Sequence, residues 1–217
     1  MKLHIAFSGG RTSAYMTKWL INNKSHKYDE IKIVFANTGQ EYEETLKFVD
    51  RCDKEWGLNV IWVEAVVNNN KKGVGTTHKV VDFESASRNG EPFEAVIAKY
   101  GIPNQTWNLC SRELKQVTVR SYLRSIGWKK KDYYSALGIR FDEIHRVSPN
   151  MVRDRLIYPL AEDHPVDKAY IINWWAKQPF QLKISISFLP VLLQNYLILQ
   201  NCHLFQAFHP SNHLPFK

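Results

Sequence analysis

Lys2-Leu-His-Ile-Ala-Phe7, Ser8-Gly9-Gly10-Arg11-Thr12-Ser13 and Ala14-Tyr-Met-Thr-Lys-Trp-Leu-Ile21 run on from one another near the amino terminus, and this stretch decides how the remainder is read. It is a short apolar strand, a Gly-Gly turn rich in hydroxyls, and an amphipathic helix. The glycines allow a sharp turn and a close backbone approach to a ligand. The helix that follows aims free N–H groups and its positive dipole end at the same spot. A phosphate or sulfate suits such a place. Ser8, Thr12 and Ser13 add hydroxyls, and Arg11 adds a fixed positive charge. The plainer alternative is a tight strand-to-helix turn with Ser or Thr as an N-cap.

The next segments repeat the pattern. Ile31-Lys-Ile-Val-Phe-Ala36 reads as a second strand and stops at the turn Asn37-Thr38-Gly39-Gln40. A helix follows from Glu41 to Trp56, with apolar positions at Thr45, Phe48, Val49, Cys52 and Trp56 and acids crowding its first turn. Gly57 ends it. Asn59-Val-Ile-Trp-Val-Glu64 is a third strand. Strand, helix, strand, helix, strand argues for an α/β fold, a parallel sheet with helices on both faces. Ligands of such sheets sit at the carboxyl ends of the strands. The 8–13 and 37–40 turns both lie there, which makes a better site than either alone.

Composition agrees. The 217 residues are enough for one α/β domain, and 44% hydrophobic content is that of a globular protein. No run of about 18 apolar residues is present, so no membrane-spanning helix is expected. The amino terminus lacks the pattern of a signal peptide, and a cytoplasmic location is the default expectation. Cys52, Cys110 and Cys202 are too sparse for a disulfide scaffold. The net charge of +8 suits anionic partners, free nucleotides or nucleic acid. The runs Lys71-Lys72 and Lys129-Lys130-Lys131 are short enough to be solvated loops.

Residues 65–105 are less regular, with a loop over 68–75 and a helix from Glu91 to Tyr100 that carries Pro92 near its start. Cys110 and Ser111 then sit at or just before the start of a helix running to Leu123. Arg112 and Lys115 share one face of it, able to hold a phosphate or simply solvated. Those cations favour a thiolate at Cys110; the alternative is a small buried hydrophobe. Tyr133-Tyr-Ser-Ala-Leu-Gly138 is another strand ending in a glycine, and Arg140, Glu143 and Arg146 follow at a spacing that aligns them if the segment coils. In the 155–160 stretch Pro159 excludes a central strand. Residues 166–177 form a helix containing Trp174 and Trp175.

Taken together, these segments resemble the phosphoadenosine-phosphosulfate (PAPS) reductase family, within the PP-loop group of adenine nucleotide alpha-hydrolase-like, Rossmann-like folds. The matching motifs, in family order, are Ser8-Gly-Gly-Arg-Thr-Ser13; Ala36-Asn-Thr-Gly-Gln40 with Glu44-Thr45; Cys110-Ser-Arg-Glu-Leu-Lys115; and Leu137-Gly-Ile-Arg140 with Glu143 and Arg146. Tyr158-Pro-Leu160 and Asn173-Trp-Trp-Ala-Lys-Gln-Pro-Phe180 extend the match, which is nearest the phage and bacterial branch of uncertain substrate. The resemblance implies a nucleotide-binding domain over 1–181. Its ligand is an adenine nucleotide, PAPS or ATP, held by Ser8, Gly9, Gly10, Arg11, Thr12 and Ser13 and by Asn37, Thr38, Gly39 and Gly138. Arg112, Lys115 and Arg140 neutralise charge beside it, with Glu143 and Arg146 adjoining. Cys110 and Cys202 are the candidate catalytic thiols.

Three departures stand out. Thr12 occupies a position where many ATP-cleaving relatives carry an acid that helps place Mg²⁺, which favours PAPS-type chemistry or another metal ligand. The family's carboxy-terminal Glu-Cys-Gly-Leu-His segment is absent from this sequence. The Cys-x-x-Cys of the most similar relatives is reduced to Cys202, with Phe205 in the second place. After Asp167 there is no further acid, and between Gln181 and Lys217 the only charges are Lys183 and Lys217. The expectation is a divergent tail over 182–217, read out of frame or else buried at a contact. No metal ligand set is named, and a zinc or iron–sulfur site is not expected, since two cysteines are too few for four thiolates.

Three functions are compatible with this. One is thiol-dependent reduction of a sulfonucleotide, with a thiol protein as reductant. Another is ATP cleavage that activates nucleic acid for sulfur insertion. The third is a nucleotide-binding remnant without catalysis. Mg²⁺, a nucleic-acid partner and a homodimer stay open at this point.

Overall fold

Alternation in the first strand sets the layering. Leu3, Ile5 and Phe7 are buried on one side of the sheet, and His4 points to the other. The computed structural model describes residues 1–68, 73–101 and 110–182. Six strands form one sheet in the order β4-β3-β2-β1-β5-β6: β1 (Lys2–Ala6), β2 (Glu30–Asn37), β3 (Ile61–Val66), β4 (Thr77–Val81), β5 (Tyr133–Ala136) and β6 (Leu156–Ile157). All neighbours pair in parallel except β3 and β4.

Helices cover both faces. α1 (Arg11–Lys24), α2 (Glu43–Trp56) and α6 (Lys168–Ala176) enclose the larger core with Leu3, Ile5, Phe7, Met16, Leu46 and Trp175, while α5 (Met151–Asp154) is a single turn before β6. On the other face α4 (Thr118–Ser125) brings Tyr122 and Leu123 against Val34, Val63 and Trp128. α3 (Glu91–Tyr100) and the helical segment Cys110–Val117 close a smaller cluster around Ala65, Phe93, Val96 and Leu114. Gly57 ends α2 in the left-handed conformation, φ 59 and ψ 41.

The α/β reading, the parallel centre and the helices on both faces therefore stand. β4 is an element the sequence reading lacks. Its residues Thr-His-Lys-Val-Val are short and mostly uncovered, with Val80 58% exposed, so no buried face marks them as a strand. β6 is two residues long at the sheet edge, where Pro159 beside it costs nothing. Residues 110–117 are π-helical before α4 begins, so the expected single helix is two. No helix among the described residues is long and apolar enough to cross a membrane. The tail from residue 183 onward, Cys202 included, lies outside the described residues, as do 69–72 of the expected loop.

Candidate nucleotide site

β1 ends at Ala6, and the chain turns through residues 8–10 into α1, which starts at Arg11. Gly9 takes φ +75, a conformation L side chains rarely adopt. Gly10 is the N-cap with extended backbone, and no side chain caps the helix. The expected Ser or Thr cap is absent because Ser13 is used inside the turn. Its Oγ accepts from Ser8 N at 3.1 Å and from Ser8 Oγ at 2.9 Å, and donates to Gly10 O at 2.9 Å. The first-turn N–H groups of α1 keep their dipole end uncapped by any described side chain, which is the condition for an anion cradle.

The parallel order places β5 beside β1, so the segment after β5 meets this turn. A Cβ on Gly138 would sit 3.2 Å from Ser13 Cα and 3.3 Å from Ser13 N, so a larger residue there would push the two backbones apart by a few tenths of an ångström. Arg140 Nη1 donates to Thr12 Oγ1 at 3.2 Å. The rest of that guanidinium is held by Asp142 and Glu143, and the side chain is 15% exposed. Phe141–Arg146 is a 3-10 helix, in which Glu143 pairs with both Arg140 and Arg146. The expected alignment of Arg140, Glu143 and Arg146 is thus an ion-pair row. Hydrogen bonding from Arg140 holds the Asp142 carboxyl below its usual pKa.

On the other side, β2 delivers the 37–40 turn. Gly39 takes φ +77, and its N–H donates to Asn37 Oδ1 at 3.2 Å. Thr38 Oγ1 donates to Glu41 Oε1 at 3.1 Å, and that same oxygen lies 3.9 Å from Lys115 Nζ. Lys115 therefore stands at the second turn. Arg112 pairs instead with Glu113, which is 3% exposed and accepts from Thr76 Oγ1 at 2.6 Å. Arg11, at the start of α1, hydrogen-bonds along the chain that follows α6. Its guanidinium donates to Leu182 O at 2.7 Å and reaches Gln181 Oε1 at 3.5 Å, while Trp175 Nε1 donates to Arg11 O at 2.9 Å. These bonds tie the start of α1 to the chain after α6.

Cys110 opens the 110–117 helix, and its side chain, like Cys202, lies outside what the structure describes. Cys52 is free, fully buried in the core, and burial pushes its thiol well above the usual range. Its environment is that of a packing residue. For Mg²⁺ the donor set fits poorly: Thr12 carries no charge, and Asp142 and Glu143 are engaged by arginines.

A turn with an uncapped helix start, a second glycine turn beside it and an arginine-bearing third segment thus converge at the carboxyl ends of β1, β2 and β5. Residues 2–155, which contain all three, match the phosphoadenosine phosphosulfate reductase domain. The chain belongs to this family. An uncharacterized nin region protein of Escherichia phage lambda is 32% identical over 182 residues, covering 83% of this chain and 61% of that protein. An uncharacterized protein of Methanocaldococcus jannaschii is 25% identical over 156 residues, covering 72% of this chain and 28% of that protein. The chain thus spans less than two thirds of the length of these relatives. The crystal structure of a PAPS reductase from Candida auris in a phosphate complex is similar at TM-score 0.47 and 14% identity, covering 83% of this chain and 74% of that one.

Sequence reasoning missed the buried acids behind this candidate site, Glu64 and Glu113. Glu64 is the one charged residue of an apolar strand and Glu113 is one of several polar residues in its helical segment, and a buried acid has no signal of its own until its donors are brought to it.

Proposed function

We propose that this chain binds an adenine nucleotide ending in a sulfate or phosphate, with the anionic end at the start of α1 and the remainder between the 37–40 turn and the 138–146 segment. The observation that carries this reading is the contact of Gly138 and Arg140 with Ser13 and Thr12, which makes one wall from two distant motifs. Fixed donors aimed at an anion need no reorganisation when it binds.

Within that reading the reaction is thiol-dependent reduction of a sulfonucleotide. A thiolate attacks the sulfate sulfur, forms an S–S bond to it and displaces adenosine 3′,5′-bisphosphate. A second thiol, from a reductant protein, attacks the first sulfur, releases sulfite with the bonding electron pair and leaves a disulfide. Cys110 and Cys202 are the candidates for the first thiolate. Thr12 supports this over Mg²⁺-assisted ATP cleavage, because no charge is available there for a metal. The +8 net charge favours the alternative of an ATP-cleaving enzyme acting on nucleic acid.

Calorimetric titration with adenosine 3′,5′-bisphosphate, PAPS and ATP tests the pocket, and product analysis tests the chemistry. Sulfite from PAPS and thiol supports reduction. Pyrophosphate from ATP that requires nucleic acid supports the alternative. Binding without turnover assigns a nucleotide-binding remnant, and absence of binding to all three overturns the pocket.

A further inference from the structure

We propose that Glu64 is the positioning residue of the pocket's second wall, locking the Asn37 side chain and the turn it carries, and that it makes asparagine rather than aspartate the residue required at position 37. This rests on the pocket reading above.

Glu64 is on β3, in register with Asn37 of β2 on one side and Lys79 of β4 on the other. It is fully buried, as is Asn37. Its Oε1 accepts from Asn37 Nδ2 at 2.7 Å and from Ser87 N at 2.6 Å. Its Oε2 accepts from Ser87 Oγ at 2.8 Å and from Lys79 Nζ at 2.8 Å. Burial opposes ionisation here, yet these donors together hold the Glu64 carboxyl below its usual pKa. A buried charge with all its lone pairs answered is an ordering device, and removing one partner exposes the cost.

The order passes to Asn37. Its Nδ2 donates to Glu64 and also to Ser87 O at 2.8 Å. A carboxylate and a carbonyl can only accept, so the amide has one orientation. That orientation leaves Oδ1 for Gly39 N. The turn it fixes has little slack, since a Cβ on Gly39 would lie 2.8 Å from Pro92 Cδ and 3.2 Å from Gly90 Cα. Glu64 thus holds three pieces together: the 37–40 turn, the Ser87 loop and β4.

An aspartate at position 37 would set a second carboxylate 2.7 Å from Glu64 and an acceptor against Ser87 O. Lys79, 49% exposed, is the cation facing this group from β4, and Ser87 faces it from the loop; Glu41 and Lys115 stand on the far side of Thr38. The neutral amide avoids that conflict and keeps a negative charge away from an anionic ligand.

The test is calorimetric titration with adenosine 3′,5′-bisphosphate at pH 5.5, 7 and 8, with a thermal melt for each protein. Wild type comes first, and absence of binding there overturns the pocket reading rather than this proposal. Asn37→Asp is expected to weaken binding about tenfold or more at pH 8 and to recover toward pH 5.5, where a shared proton replaces the lost donor. Asn37→Asp with Glu64→Gln is expected to regain affinity at pH 8 and lose that pH dependence. Wild-type affinity of Asn37→Asp at pH 8, or a pH profile parallel to wild type, overturns the proposal. If Asn37→Asp does not fold, Glu64→Gln decides: a folded protein with affinity reduced about fivefold or more at each pH supports it, and wild-type affinity overturns it.

Discussion

Gly9 and Thr45 touch across the first turn: a Cβ on Gly9 would sit 2.6 Å from Thr45 Cγ2 and 3.2 Å from Phe35 Cε2. The turn before α1 is therefore packed on α2 as well as shaped by the Gly9 φ of +75. Gly9→Val should abolish nucleotide binding, and Gly9→Ala should destabilise the fold by about 1–3 kcal/mol through overpacking and left-handed strain. Adding Thr45→Ser, which removes the offending methyl, should recover part of the Gly9→Ala loss. Urea titration of the single and double variants measures this; no recovery would mean that φ alone makes glycine necessary.

Arg140 is the link between the third segment and α1, through Thr12. Arg140→Ala leaves Asp142 and Glu143 beside an anion site without their shared cation. Nucleotide affinity should fall about tenfold or more, because charge-assisted bonds are the stronger kind. Arg140→Lys should recover little, since one ammonium cannot bond Thr12 and both acids at once. Affinity measured in low and high salt checks both statements: the loss should shrink as salt screens Asp142, which is left unpaired while Glu143 keeps Arg146.

Much of the site was legible because its parts are backbone-driven. Residues 8–13, 37–40 and 138–146 each follow a strand and each contain glycine, and parallel topology does the rest. Glu64 was invisible for the opposite reason. It ends an apolar strand run and gains meaning only when β2, β4 and the Ser87 loop converge on it. β4 itself was missed because an exposed edge strand need not alternate. Arg11 reads in sequence as a ligand for anions because it lies inside a loop motif; the structure adds hydrogen bonds from its guanidinium to residues 181–182, a contact that no local pattern announces.

That placement separates two roles. If Arg11 is an anchor, Arg11→Met should lower the melting temperature by a few degrees, consistent with loss of about 1–2 kcal/mol for a charged hydrogen bond, and leave nucleotide affinity near wild type. If it is an anion ligand, affinity should fall with little change in melting. Melts with and without adenosine 3′,5′-bisphosphate distinguish the two.

Cys52 should behave as a core residue. Its thiol is 0% exposed, and burial keeps it protonated at neutral pH. A thiol reagent should leave it unmodified in the native protein and label it on unfolding. Cys52→Ala should retain nucleotide binding and any sulfite release while costing about 1–2 kcal/mol for the small cavity. Loss of turnover in that variant with binding intact would place Cys52 in the chemistry.

His4 sets a pH limit on the fold. It is 6% exposed in β1, with Nδ1 bonded to Ser135 Oγ at 3.0 Å and Nε2 buried without a partner among the described residues. Burial lowers its pKa from 6.5 to about 4, so the folded protein keeps the ring neutral. The unfolded chain takes up the proton near pH 6.5. Stability from this residue is therefore complete above that value and is lost as pH falls toward 4, by up to about 3 kcal/mol. Carboxylates with lowered pKa, such as Asp142 and Glu64, add their own loss as pH falls through the ordinary carboxylate range, from about pH 5 downward. Between pH 6.5 and about 5 the slope should belong mainly to His4, with a smaller share from His78, whose pKa burial also lowers. Urea titrations across that window should show a decline in wild type and a flatter line in His4→Leu, which removes both the ionisable ring and the unpartnered nitrogen. Equal slopes in the two proteins would show that His4 is accommodated as a cation in the folded state.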